Sequence, residues 1–207
     1  MRYQYYENLK ALAHRVREQH GLSGPRVLKS DLRRIYKAEG IQVDYWPYHL
    51  KGLRGAYFND RHGISVMIAK EMPIDPTVFT MAHELKHHLV DSELGMVKCI
   101  DKAVSEPIEI GAEIFAAELL LPEQIFVDLM NQLGVQPGQC TPEDIVRLKH
   151  ESKTTLSYAG LVKRAEWLKY AESGSLPRFG LRSLEMQMYG APFYRRHRIF
   201  VPIGQGN

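Results

Sequence analysis

The stretch FTMAHELKH, residues 79–87, contains the pattern His-Glu-x-x-His and decides how the rest of the chain is interpreted. On a helix, positions i and i+4 lie on one face, so His83 and His87 can converge on one tetrahedral zinc ion. Glu84 lies beside that metal and can act as the base for a bound water molecule. A shuffled chain of this composition would contain the pattern with a probability of about 0.03, so its context has to support it.

The sequence around the motif favours a helix. Asp75-Pro76 is typical of a helix start, with an N-cap followed by proline, and the helix is expected to run to about Val90. At about 100° per residue, one aliphatic stripe is formed by Val78, Met81, Ala82, Leu85 and Leu89. The motif residues share a different arc, and Lys86 lies on neither, so we expect it to be solvated. The alternative is a pair of surface histidines with a glutamate between them, which this helical placement disfavours.

A catalytic zinc ion needs a third protein ligand and an open position for water. The stretch EIGAEIFAAELLLP, residues 109–122, supplies Glu109 and Glu113 on one face of a helix predicted from about 106 to 121, with Ser105 as its N-cap. Apolar residues form its other side. Spacing alone does not choose between the two glutamates, and a solvated acidic face is the alternative.

The remaining segments predict an α+β fold. Helices are expected at 5–19, from an N-cap at Ser30 to about 39, from Pro122 to Gly134, at 142–150 and at 156–171. Between the second and third helices, short β-branched and aromatic runs at 41–45, 55–59 and 64–69 predict a small antiparallel sheet. After Gly174 the chain is rich in Pro, Gly and Arg, and no element is predicted there.

The two motifs together resemble the ImmA/IrrE family of zinc metallopeptidases, and the resemblance covers about residues 30–172. It implies a zincin-like peptidase core in which His83, His87 and Glu109 bind zinc and Glu84 is catalytic. Glu113 occupies the usual Asn or Asp position, which implies that it orients a ligating histidine. A second departure is Lys86, where Gly is common. Zinc is the expected metal, and manganese or another divalent ion is the alternative.

The resemblance also implies how the chain is organised and what it acts on. It predicts a zincin-like metallopeptidase domain at 1–135 that includes the N-terminal helices. A helix-turn-helix-like unit follows at 136–173, and a basic, aromatic tail at 174–207. The implied substrate is a helix-turn-helix transcriptional repressor in a mobile element or a stress response.

Other residues near the motifs are candidates for further roles. Tyr57, His62 and His88 are candidates to stabilise the oxyanion, and His88 is expected on the helix surface. Cys99, between the two ligand helices, is expected to be a small, half-buried side chain and not a zinc ligand.

Composition places the chain among globular proteins. It has 207 residues, of which 44% are hydrophobic and 25% charged. No apolar run approaches the roughly 18 residues that span a bilayer, and the N-terminus lacks the apolar core of a secretory signal. The two cysteines form no disulfide framework, so we expect a cytoplasmic protein without a membrane partner.

Charge distribution leaves alternative functions open. Residues 1–40 contain nine Lys or Arg and four Asp or Glu, residues 176–207 contain five and one, and the middle contains 13 and 19. These basic ends favour nucleic acid or an acidic partner, or are simply solvated surfaces. One alternative is therefore a DNA-binding regulator that uses residues 141–172 and the basic tail, with its aromatic and basic stretch at 193–200, and that has a vestigial metal site. Intact Glu84 disfavours it, since a degenerate site would lose that residue first. The other is a toxin-type interaction module with a structural metal.

Overall fold

The computed structural model of the protein describes residues 2–47, 54–94, 96–97, 102–177 and 179–190. Helices, then a sheet, then helices follow one another, which confirms the α+β class. The helices are α1 (Arg2–Gln19), α2 (Lys29–Ala38), α3 (Ile74–Asp91), α4 (Lys102–Leu120), α5 (Glu123–Gln132), α6 (Pro142–Ser152), α7 (Tyr158–Trp167) and α8 (Leu181–Tyr189). The strands are β1 (Gln42–Trp46), β2 (Gly55–Asp60), β3 (Gly63–Ala69) and β4 (Met96–Val97). Among these described helices, none is long and apolar enough to cross a membrane.

The sheet is mixed, so the expectation of an antiparallel sheet is wrong in part. Its strand order is β1-β3-β2-β4. β2 and β3 form an antiparallel hairpin, and β4 pairs antiparallel with the other side of β2. β1 runs parallel to β3, with Gln42 opposite Ser65. β3 therefore lies between β1 and β2 in the sheet.

A first apolar cluster joins the sheet to α1, α2, α3 and α4. α1 buries Leu9, Ala13 and Val16 at helical spacing. α2 buries Leu32, Ile35 and Tyr36, which lie on one side of the helix. The Tyr36 hydroxyl donates to the carbonyl oxygen of Met81 at 2.6 Å, which fixes α2 on α3.

α1 packs closely on α4 because α4 has a glycine at the contact. A Cβ atom at Gly111 would lie 2.8 Å from Leu9 Cδ1 and 3.0 Å from the hydroxyl of Tyr5. Farther along the same pair of helices, the Arg17 guanidinium donates to the carbonyl oxygens of Leu119 and Gly24 at 2.6 and 2.7 Å. α1 therefore covers the helix that carries Glu109.

A second apolar cluster is built from α5 to α8 and extends from Leu121 to Leu181. Phe79 of α3 packs against both clusters. α8 was not predicted, yet its Tyr189 ring stacks on His150 of α6 with centroids 3.6 Å apart. α6 and α7 occupy the places predicted for the helix-turn-helix-like unit. That assignment and the limits 1–135, 136–173 and 174–207 stay predictions.

Helix starts differ from the predicted ones in detail. Three predicted N-caps lie inside the first turns of their helices: Ser30, Asp75 and Ser105. At α2 the capping role belongs to a carboxylate, since Asp31 Oδ2 accepts from the backbone N–H of Leu28 at 2.8 Å. At α6 the N-cap is Thr141, whose Oγ1 accepts from the backbone N–H of Asp144 at 3.3 Å.

Candidate metal centre

α3 presents two histidines one helical turn apart. The predicted aliphatic stripe is buried in the first cluster at Val78, Met81, Ala82 and Leu85. This fixes the rotation of the helix, so the rings of His83 and His87 lie side by side with centroids 5.0 Å apart. The His87 side chain is completely buried, and that of His83 is 13% exposed.

α4 brings a carboxylate to the two imidazoles. Glu109 Oε2 lies 3.1 Å from His83 Nε2, and Glu109 Oε1 lies 3.6 Å from His87 Nε2. One ligand atom from each of the three residues can be chosen so that all lie within 4.8 Å of one another. Of the two glutamates that spacing left open, the structure therefore brings Glu109 to the histidines.

This donor set fits a divalent ion. Ligands of a tetrahedral zinc ion with bonds of about 2.0–2.1 Å lie about 3.4 Å apart, close to the separations found here. His87 Nε2 is buried and has no hydrogen-bond partner among the described residues. A buried polar atom without such a partner is unfavourable, and a metal ion supplies one. Two imidazole nitrogens and one carboxylate oxygen are also ligands typical of zinc.

Asp91 orients His87 from the last residue of α3. His87 Nδ1 lies 2.7 Å from Asp91 Oδ2. A carboxylate accepts hydrogen bonds, so Nδ1 carries the proton and Nε2 keeps its lone pair for a metal. Burial lowers the pKa of His87 below its ordinary value despite the opposing effect of this hydrogen bond, which favours the neutral imidazole. Sequence reasoning missed Asp91, although an acidic residue four positions after a ligand on the same helix is a usable signal.

Glu113 is not among the residues that the structure brings to the site. Its side chain is 57% exposed, and its carboxylate pairs with Lys163 of α7 at 3.3 Å. The expectation that Glu113 orients a ligating histidine is therefore wrong for His87. The partner of His87 Nδ1 is Asp91. One helical turn separates Glu113 from Glu109, whose side chain is only 24% exposed.

The expectation that Lys86 is solvated is wrong. Its side chain is completely buried, and Nζ lies 2.6 Å from Asp91 Oδ2. Helical periodicity placed Lys86 off the aliphatic stripe, but that arc of α3 is covered by α1 and α4. The ammonium and the His87 imidazole thus share one carboxylate oxygen.

Glu84 is buried at the centre, against the first residue of β2. It is 1% exposed, and a Cβ atom at Gly55 would lie 2.7 Å from its Oε1. Only glycine leaves the carboxylate room at this point of the strand. Burial, and after it the negative charge of Glu109, raise the pKa of Glu84 to about 8.

The three candidates for oxyanion stabilisation occupy different surroundings. The Tyr57 hydroxyl lies 3.3 Å from His88 Nδ1, and His88 Nε2 lies 3.6 Å from Glu39 Oε2. Burial raises the pKa of Tyr57. The His88 side chain is only 12% exposed, so it is less of a surface histidine than expected. His62 lies in the turn between β2 and β3, where its Nε2 accepts from Arg61.

Two sequence features lie outside the described residues, namely Cys99 and the tail at 193–200. Cys140 is a free, buried cysteine in the second cluster, and burial raises the pKa of its thiol to about 12. It therefore remains an unreactive thiol at neutral pH.

An apolar groove of about 380 Å³ is lined by residues of α1, α3, α4 and α7. Phe79 lies one helical turn before His83, Ile110 directly follows Glu109, and both line the groove. Its outer rim has two exposed aromatic side chains, Tyr3 at 70% and Trp167 at 61% exposure.

A buried His-Glu-x-x-His helix that meets a carboxylate from the next helix defines a metallopeptidase type of centre. Residues 36–136 match the family model described as the IrrE N-terminal-like domain of peptidase family M78. This stretch contains both histidines and both glutamates of the centre. The chain carries a domain of the ImmA/IrrE family, which confirms the resemblance, and this family implies a metallopeptidase. Among curated proteins, none matches the chain significantly.

Proposed function

We propose that this protein is a zinc-dependent endopeptidase that cleaves a helix-turn-helix transcriptional repressor. Cleavage would relieve repression in a mobile element or a stress response. The observation that carries the proposal is the cluster of His83, His87 and Glu109 with the buried Glu84 beside it. The repressor as substrate rests on the family resemblance.

Each residue of the centre has a distinct role in this proposal. His83, His87 and Glu109 would hold a divalent ion, and that ion would supply the Lewis acidity that polarises a peptide carbonyl and acidifies water. Glu84 accepts the proton of the attacking water at its carboxylate and delivers it to the leaving amine. A bound cation would lower the pKa of the neighbouring Glu84 carboxyl and so favour the ionised form that acts as this base. Asp91 keeps His87 in the tautomer that binds through Nε2.

A groove on α3 and α4, the helices that carry the centre, supports a polypeptide substrate. An extended chain that crosses the metal must also contact the surface on either side of it. Phe79 and Ile110 offer an apolar surface at that place, and the groove is large enough to bury a side chain.

The test combines metal analysis with cleavage. Bound metal is measured in the wild type, Glu84→Gln, Glu109→Ala and Glu113→Gln, and each is incubated with the repressor-like protein encoded nearest its gene. We expect near-stoichiometric zinc in all but Glu109→Ala. We expect cleavage by the wild type and none by Glu84→Gln or Glu109→Ala. Glu113 is the matched control for metal binding because it is an acidic residue of the same helix that pairs with Lys163 and lies away from the cluster.

The other outcomes separate the alternatives. Zinc without cleavage in the wild type would refute the repressor as substrate. Duplex DNA binding that weakens steeply with salt would favour a DNA-binding regulator. A biological effect that survives Glu84→Gln would favour an interaction module with a structural metal. No metal in any form, even after zinc is added back, would refute the peptidase.

A further inference from the structure

Lys86 of α3 is a completely buried lysine that connects three helices. Its Nζ donates to Asp91 Oδ2 at 2.6 Å and to the carbonyl oxygen of Ile108 in α4 at 3.1 Å. The ammonium also lies 5.9 Å from the ring centroid of Tyr5 in α1. A buried ammonium is strongly unfavourable unless it is paired, and here both hydrogen bonds are supplied by the protein.

Each of the two acceptors is directly connected to a candidate metal ligand, one by a hydrogen bond and the other through the backbone. Asp91 is the carboxylate that accepts from His87 Nδ1. Ile108 directly precedes Glu109, so its carbonyl belongs to the backbone that carries the third ligand. Lys86 thus ties α4 to α3 at the residue before Glu109.

We propose that Lys86 is a positioning residue that holds His87 and Glu109 together in the geometry that binds the metal. The proposal rests on the metal site of the proposed function but not on peptidase activity. A purely structural role is the weaker explanation, because apolar side chains of similar volume commonly stabilise a protein interior at least as well as a buried ion pair. The two acceptors of Lys86 instead lead directly to two ligands on different helices.

The test measures metal binding in two matched lysine variants. Lys86→Met removes the ammonium and keeps the length of the side chain. Lys149→Met is the control, since Lys149 of α6 also donates to a carboxylate and to carbonyls: Asp75 Oδ2, Thr154 O and Leu156 O. Asp75 lies at the opposite end of α3 from His87. The zinc dissociation constant is obtained by competition with a chromophoric chelator, and ligand geometry from the visible absorption bands of the Co²⁺ form.

We expect Lys86→Met to bind zinc about 10–100-fold more weakly than the wild type, the usual effect of removing a group that orients metal ligands. Its Co²⁺ bands should change in position or intensity. Lys149→Met should keep the wild-type spectrum and an affinity within about twofold of wild type, because distant sites act independently. Lys86→Arg retains a charged donor and should recover most of the lost affinity.

Several results would overturn the proposal. One is a folded Lys86→Met protein with wild-type affinity and spectrum. Another is equal weakening in Lys86→Met and Lys86→Arg, which would assign the effect to packing of the side chain. If Lys86→Met does not fold, the wild type is used instead, and the ammonium signal of Lys86 is followed by NMR while zinc is added. The proposal expects this signal to shift, and an unchanged signal would overturn it. A wild type that binds no zinc would refute the metal site itself, a result distinct from these.

Discussion

Gly55 begins β2, and alanine at this position would place a methyl group against Glu84. The added Cβ would lie 2.7 Å from Glu84 Oε1 and would also contact Thr80 Cγ2. A carbon and an oxygen that are not bonded lie about 3.3 Å apart or more, so the carboxylate has to move by roughly 0.6 Å. Glu84 is only 1% exposed, so it has to move within a packed interior.

The expected effect of Gly55→Ala is on catalysis more than on metal binding. Misplacing a catalytic group by about 1 Å costs about 100-fold in rate, so a shift of roughly 0.6 Å should cost about 10–50-fold. Overpacking should also lower the free energy of unfolding by about 1–3 kcal/mol. Zinc content should remain that of the wild type, because the three ligands belong to α3 and α4 and not to β2.

The assay is single-turnover cleavage of the repressor by zinc-loaded protein, with zinc content and urea unfolding measured on the same samples. The double variant Gly55→Ala/Thr80→Ser removes the methyl group that also meets the new Cβ. A rate that stays low in it assigns the loss to Glu84. A folded, zinc-loaded Gly55→Ala protein that cleaves at the wild-type rate would refute the reasoning. Full recovery in the double variant would transfer the effect to Thr80.

Three further predictions follow from the structure. In the metal-free protein the pKa of Glu84 is raised from 4.5 to about 8. Between these two pH values the folded protein keeps the Glu84 proton, whereas the unfolded chain has released it. The free energy of unfolding should therefore fall as pH rises from about 5 to 8, and equal slopes for wild type and Glu84→Gln in urea melts would contradict this. Asp91→Asn should weaken zinc binding about 10–100-fold in chelator competition, whereas Glu113→Gln should leave it unchanged. Equal weakening of zinc binding in both variants would restore Glu113 to the site. Thr141→Ala should lower the free energy of unfolding by about 1 kcal/mol in urea, while Ser30→Ala, which removes no cap, should change it by less than about 0.5 kcal/mol; equal losses would contradict the assigned caps.

The local pattern was sufficient to find what lies on one helix. A spacing of four residues places His83 and His87 on the same face, and the aliphatic stripe then fixes which way that face points. Glu109 required more than spacing, because Glu109 and Glu113 are equivalent on an isolated helix. The family resemblance chose between them, and the geometry of α3 against α4 places only Glu109 at the histidines.

The features that sequence reasoning missed depend on neighbours distant in the chain. Lys86 looked solvated because periodicity describes one helix and cannot show that α1 and α4 cover its remaining side. The direction of β1 depends on where β3 inserts, which short strand signals do not specify. α8 was missed because Gly, Pro and Arg around it suggested irregular structure, although it packs on α6.

The ligands of the centre are divided between α3 and α4, and 21 residues separate His87 from Glu109 in the chain. A bound ion is therefore a reversible cross-link that closes this segment into a loop, and the unfolded chain cannot keep it. At a free metal concentration about 100 times the dissociation constant, such a cross-link adds about 2.7 kcal/mol to the free energy of unfolding. Resistance of the protein to general proteolysis should consequently follow the metal supply of its surroundings. The lifetime of the protein would then report whether the metal is present, before any substrate is encountered.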